Sequence, residues 1–202
     1  MKKLMMITLA ALTMGSVNAS TIGVSTHPFG IHNRVFTTES NSYLSNGSGA
    51  GLTAKYYHRF NNKVNLDAGF GITDGDRASK FSVGSEVEIF PDYGTQPRVS
   101  VKGIVETENF DGDRVNTFGF APIASKGLSL WGNEAFPFVS LPVKVHLNQD
   151  TNEHETATAL AAGITGRLPI QGYDNLVGNI EANMSLKNSY TGLVMGISLP
   201  IQ

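Results

Sequence analysis

The chain has 202 residues, a length that suits one domain with a full core better than several. Only 16% of its residues are charged, its 15 Lys and Arg nearly balance 17 Asp and Glu, and no run of either sign occurs, which excludes nucleic-acid binding through a basic patch. It contains no cysteine, so a disulfide framework and thiol redox chemistry are both excluded, and stability must come from packing and strand pairing.

The chain opens with Lys2 and Lys3, continues with an apolar run over residues 4–14, and places Val17-Asn18-Ala19 before Ser20. That is the pattern of a cleaved secretory leader, 1–19, and it predicts export by the Sec route and a single mature domain over 20–202. The apolar run falls short of the roughly 20 residues that a membrane-spanning helix needs.

Beyond the leader, period-2 alternation dominates. A first strand is expected near 20–26, followed by a long polar stretch, 27–48. Residues 49–60 set Leu52, Ala54, Tyr56 and Phe60 against Thr53, Lys55, Tyr57 and Arg59, with His58 on the apolar side. Residues 63–73 give the clearest pattern, Val64, Leu66, Ala68, Phe70 and Ile72 against Asn65, Asp67, Gly69 and Gly71. The same pattern recurs in 81–90 (Phe81, Val83 and Val87 against Ser82, Gly84, Glu86 and Glu88) and in 98–107 (Val99, Val101 and Val105 against Arg98, Ser100, Lys102 and Glu106). The phase over 114–123 is ambiguous. Residues 139–148, 156–168, 176–186 and 192–201 alternate again, carrying Lys144, Arg167 and Glu181 on their polar faces.

Asn61-Asn62, Asp74-Gly75-Asp76, Asp111-Gly112-Asp113 and Lys187-Asn188-Ser189 are short turn signals between these stretches. The expectation is therefore an all-β, antiparallel up-and-down barrel of about ten strands, with eight as the alternative. With a periplasmic N-terminus, 27–48 and the links near 74–79, 108–113, 148–155 and 187–190 would lie outside the cell.

Alternation alone does not say which face meets water. The polar face is rich in Gly, Ser and Asn and carries Lys55, Arg59, Arg98, Lys102, Lys144 and Arg167 against Asp67, Glu86, Glu88, Glu106 and Glu181. Near-balanced charge of this kind suits a narrow, ion-paired lumen that is closed or passes only small solutes. The opposite face is uncharged over about 9–11 residues per strand, the length a tilted strand needs to cross hydrocarbon. Aromatics gather toward strand ends, Phe60, Phe90, Tyr93, Trp131, Phe136 and Tyr173 toward one rim and Phe36, Phe110, Phe118 and Tyr190 toward the other, as interfacial girdles do.

On these residues, and on a final strand Val194-Met195-Gly196-Ile197-Ser198-Leu199-Pro200-Ile201, the chain resembles the small outer-membrane β-barrel families of OmpA-like and OmpX-like architecture. The resemblance implies a Gram-negative outer-membrane location, contact with lipid, and insertion by the barrel assembly machinery. Family members usually end in an aromatic residue, whereas this chain ends in Pro200-Ile201-Gln202.

No nucleophile elbow, HExxH or phosphate loop occurs, and the five histidines are scattered, so no catalytic site, cofactor or metal is expected. Asp74, Asp76, Asp111, Asp113 and His154 meet at one rim in this topology, as acidic and histidine residues do in omptin proteases. Asp-Gly-Asp is equally what a hairpin turn selects. Phe29, Phe36 and Tyr43 are candidates for surface recognition of an extracellular ligand within 27–48. The reading is a non-enzymatic outer-membrane barrel with a structural or surface-interaction role. The alternatives are an omptin-like hydrolase at the outer rim and a soluble, lipocalin-like periplasmic barrel whose Val64-Leu66-Phe70 face points inward onto an apolar ligand.

Overall fold

The computed structural model describes residues 22, 33–45, 49–74, 77–110, 113–130, 132–151, 153–170 and 175–201. Residues 1–19, with the expected leader, lie outside them, as do Phe29, His27, His32, Asp76, Asp111, Trp131 and Tyr173.

Among the described residues, twelve strands form one antiparallel sheet that closes on itself: β1 (Arg34–Tyr43), β2 (Gly49–Arg59), β3 (Val64–Thr73), β4 (Arg77–Phe90), β5 (Arg98–Phe110), β6 (Asp113–Ser125), β7 (Leu128–Leu130), β8 (Asn133–Ser140), β9 (Val143–Asn148), β10 (His154–Arg167), β11 (Val177–Lys187) and β12 (Gly192–Ile201). They make ten staves, because β7 prolongs β6, and β8 and β9 are one stave broken at Leu141-Pro142. The break has a local cause. Pro122 stands in β6 between Phe120, which pairs with β9, and Ile123, which pairs with β8. Having no N–H, Pro122 cannot donate to a neighbour there, and its carbonyl instead accepts from Ser140 Oγ (2.7 Å) and the Leu141 N–H (3.2 Å).

The barrel closes by pairing β1 with β12, from Arg34↔Ile201 to Tyr43↔Gly192. One rim holds Arg34 and Ile201 and the links after β2, β4, β7 and β10, and is here termed the near rim. The far rim holds the links after β1, β3, β5, β9 and β11. Turn chemistry fits the residues present. Asn61 Oδ1 accepts the Lys63 and Val64 N–H groups at 2.8 and 2.9 Å, and Asn188 takes a left-handed backbone (φ 45°).

The described residues supply ten staves; the strand expected near 20–26 lies, apart from Ile22, outside them, and the first described strand falls within the stretch read as polar. The stretch 27–48 is not one long loop, since Arg34–Tyr43 is β1. Its outward residues Phe36, Thr38, Ser40 and Ser42 become steadily more polar toward the far rim and so hide the alternation, while Val35, Thr37, Glu39 and Asn41 are buried inside. Phe36 consequently faces outward near the near rim, registered with Tyr56 and Leu199, and not at the opposite end. The 114–123 segment is an ordinary stave with Phe118 and Phe120 outward.

A candidate functional site in the barrel lumen

Polarity is inverted relative to a soluble barrel. Val83, Phe70, Val105, Phe118, Ile180 and Met195 are between 36% and 55% exposed on the outer surface, whereas Glu39, Lys55, Glu86, Lys102 and Glu181 are at most 1% exposed within. Among the described residues, the outward positions between the rims carry no Asp, Glu, Lys or Arg. Leu66 and Phe70 point outward, so the soluble reading, which needs that face inside, is not met.

Inside, the charges form short pairs. Lys55 Nζ lies 2.9 Å from Glu39, Lys102 Nζ 2.9 Å from Asp67, and Arg98 2.8 Å from both Glu86 and Glu88. Lys102 Nζ also stands 5.5 Å from the centre of the Tyr57 ring, within cation–π range. Nearer the far rim, Glu106 is held between Lys80 and Lys144, 2.8 Å from each. Arg59 lies half-buried at the near end of β2, and Arg167 meets Glu134 at 3.9 Å on the exposed near rim. Glu181, on β11, accepts from Asn183 Nδ2 at 3.1 Å and from the Ile22 N–H at 2.8 Å.

Three of these partners, Glu39, Lys80 and Glu134, escaped the sequence reading. Glu39 sat in the stretch taken for a loop, and Lys80 one residue before the 81–90 alternation. The spacing Val35, Thr37, Glu39, Asn41 was the signal for the first; Lys80, Ser82, Gly84, Glu86 was the signal for the second. Inward apolar side chains were missed as well: Ile104, Ala121, Ile123 and Phe138 form a buried cluster inside the barrel with Ile22 and with Ala161, which the alternation of 156–168 does place on the inward face. Phe136 pairs with the buried Thr165, which puts it on the inward face and not in a girdle.

Toward the far rim the lumen opens into a vestibule of about 500 Å³, floored by Lys80, Glu106 and Lys144 and walled by His146, His154 and Tyr190. Thr117 Oγ1 lies 2.7 Å from His146 Nδ1. His154 has Glu153 and Glu155 as fellow lining residues, and Asp74 is not one of them. Among the described residues, no group of three or more His, Asp or Glu is placed to hold a metal ion. Of the recognition candidates, Phe36 is on the outer wall and Tyr43 ends β1 at the far rim.

At the near rim, two links are stapled together. Lys126 Nζ donates to Asp92 and to the Gly94 carbonyl (2.6 Å), and the Gly127 N–H donates to Asp92 Oδ2 at 2.7 Å. Desolvation pushes the Asp92 carboxyl up, but the hydrogen bonds from Lys126 and Gly127 outweigh it and hold the group below the ordinary carboxylate range.

No protein-family model matches the chain, and no curated protein matches it. Solved structures do. A bacterial polysaccharide outer membrane secretin is 13% identical, with 84% of this chain and 66% of that one covered and a TM-score of 0.50; this chain thus spans just under two thirds of the secretin chain. A de novo designed transmembrane β-barrel is 12% identical over 83% of this chain and 94% of that one (TM-score 0.40), and the KdgM porin 9% identical over 83% and 99% (TM-score 0.36). The likeness to the secretin is one of fold. The chain has the architecture of a small outer-membrane β-barrel, closed and antiparallel, with an apolar outside and an ionic inside.

Proposed function

We propose that the protein is an integral barrel of the Gram-negative outer membrane with a structural or surface-interaction role, not an enzyme, and that its ion-paired lumen is closed or passes only small solutes. The observation that carries this reading is the inversion of polarity. Apolar side chains ring the outside while Glu39–Lys55, Asp67–Lys102 and Lys80–Glu106–Lys144 are paired within. In water such an exterior would drive association; in lipid it is the required surface, and barrel closure pairs each of the ten staves with a neighbour on both sides. The leader at 1–19 and insertion by the barrel assembly machinery belong to the same proposal.

The test is fractionation combined with a gel comparing boiled and unboiled samples. An outer-membrane protein whose mobility shifts on boiling is expected. A periplasmic protein with no shift would overturn the reading.

A further inference from the structure

His58 interrupts the apolar phase of β2, and the barrel places it at the near rim. There it pairs with Arg34 on β1 and with Leu66 on β3, and Arg34 pairs in turn with Ile201 on β12. The four side chains make one outward row, Ile201–Arg34–His58–Leu66. Arg34 alternates with the buried Val35 and His58 with the buried Tyr57, while Ile201 and Leu66 are exposed. Directly beneath runs a second outward row, Leu199–Phe36–Tyr56–Ala68, and the rings of Tyr56 and His58 stack with centroids 6.4 Å apart and planes 17° apart. Two residues of strand are about 7 Å, so Arg34 and His58 stand that far beyond the aromatic row, where an apolar wall gives way to the polar edge of a bilayer.

Other cations of the near half are matched within the protein. Lys126 meets Asp92, Arg98 meets Glu86 and Glu88, and Arg167 meets Glu134. Arg34 and His58 face no carboxylate: their neighbours in the row are apolar, and among the described residues neither enters an ion pair. A guanidinium fork and an imidazole, with Cβ atoms about 5 Å apart as cross-strand neighbours are, converge on a group that the protein does not supply. An oxyanion with several acceptor oxygens fits that geometry, and phosphate fits the fork of an arginine best. The rows beneath decide its source. Leu199, Phe36 and Tyr56 offer an apolar bed that acyl chains attached to the phosphate would cover and a free anion would leave bare.

We infer that Arg34 and His58 hold the phosphate of an anionic phospholipid whose acyl chains lie over Leu199, Phe36 and Tyr56. The inference rests on the membrane-barrel reading and deepens it, by naming one headgroup chemistry and one place on the barrel's perimeter. It also gives His58 a role on a face that is otherwise apolar.

The chain has no cysteine, so Leu199→Cys carries a single bimane label beside Phe36. In phosphatidylcholine vesicles the label is quenched by phospholipids brominated on their acyl chains. The ratio of quenching by brominated phosphatidylglycerol to that by brominated phosphatidylcholine reads the headgroup preference at this place. A preference of about fivefold for phosphatidylglycerol is expected, the share that one arginine near an anionic surface supplies. Arg34→Gln combined with His58→Gln should abolish it, and either change alone, used if the double variant does not fold, should lower it. Arg167→Gln, which removes a near-rim charge on another stave, should leave it unchanged. Equal quenching by the two lipids, or a preference that survives the loss of Arg34 and His58, overturns the inference alone. A preference abolished by inorganic phosphate at constant ionic strength marks a site for a free anion and overturns the lipid assignment. Each sample is first checked for the boiling shift, and its absence from the unsubstituted protein overturns the membrane-barrel reading and this site with it.

Discussion

Gly84 stands directly across from Asp67 on the inner wall, and a methyl group on its Cα would lie 2.5 Å from Asp67 Oδ1. The same pairing of an inward glycine with a long or charged neighbour recurs at Gly69 beside the Lys55 stem and at Gly119 beside that of Lys144. Glycine on one stave therefore makes the room in which its neighbour's side chain lies down and reaches its ion partner. Gly84→Ala should displace Asp67 from Lys102 and cost roughly 1–3 kcal/mol, as overpacking does. Urea unfolding of the vesicle-inserted protein measures it, and an unchanged midpoint would show that the carboxylate has room elsewhere.

The buried Glu39–Lys55 pair offers a sharper test of ionic packing. Lys55→Met removes one partner and leaves a carboxylate in a confined space, with an expected loss of about 3–5 kcal/mol. The double variant Lys55→Met with Glu39→Gln should recover most of that loss. A double-mutant cycle on unfolding midpoints reads the coupling, and simple additivity would mean that the two groups do not stabilise one another.

Val83 lies midway along β4 and faces outward. In a bilayer Val83→Arg is expected to cost about 2–4 kcal/mol, the penalty for a cation on the lipid face at mid-depth. In a water-soluble barrel the same change would be close to neutral. Comparing its folded yield in lipid vesicles with that of Lys63→Arg, at the near-rim turn, separates the two situations.

The Asp92–Lys126 staple should be sensitive to acid. Because the folded Asp92 carboxyl is held below its ordinary value of 3.8, the unfolded chain binds a proton first as pH falls. The stabilisation is thus complete above 3.8 and is lost as pH drops from there through the lowered folded value. Asp92→Asn should lower stability relative to the unsubstituted protein at pH 7, with the gap closing below pH 3.8. Unfolding midpoints recorded across that range check it; a gap that widens in acid would contradict the assignment.

Much of the barrel was legible in the sequence because each stave that alternates cleanly, such as Val64–Thr73 with Leu66, Ala68, Phe70 and Ile72 outward, reads one face at a time. What escaped was what alternation does not encode. On β1 the outward face is Thr38 and Ser40, and the surrounding apolar surface is supplied by Ile197 and Met195 across the seam, a tertiary fact. Inward apolar residues such as Ile104 break the polar pattern of their own face, and they make sense only across staves, where Ile104, Ile123 and Phe138 share one buried cluster. Ion partners were legible as types and as a face, whereas Glu106 serving both Lys80 and Lys144 depends on three staves coming together.

The closing seam has a consequence for how the chain is made. Each of the other staves pairs with one adjacent in the chain, while Arg34 must find Ile201 at the far end of the sequence. Loop-closure entropy is largest for that contact, so the ring is completed last, after synthesis of β12. Until then β1 and β12 both present open edges that invite pairing with other chains. The hydroxyl contact between Thr37 and Ser198, 2.8 Å across the seam, marks a junction that a chain truncated before β12 lacks, and such a chain is expected to aggregate or be degraded rather than to form a smaller barrel.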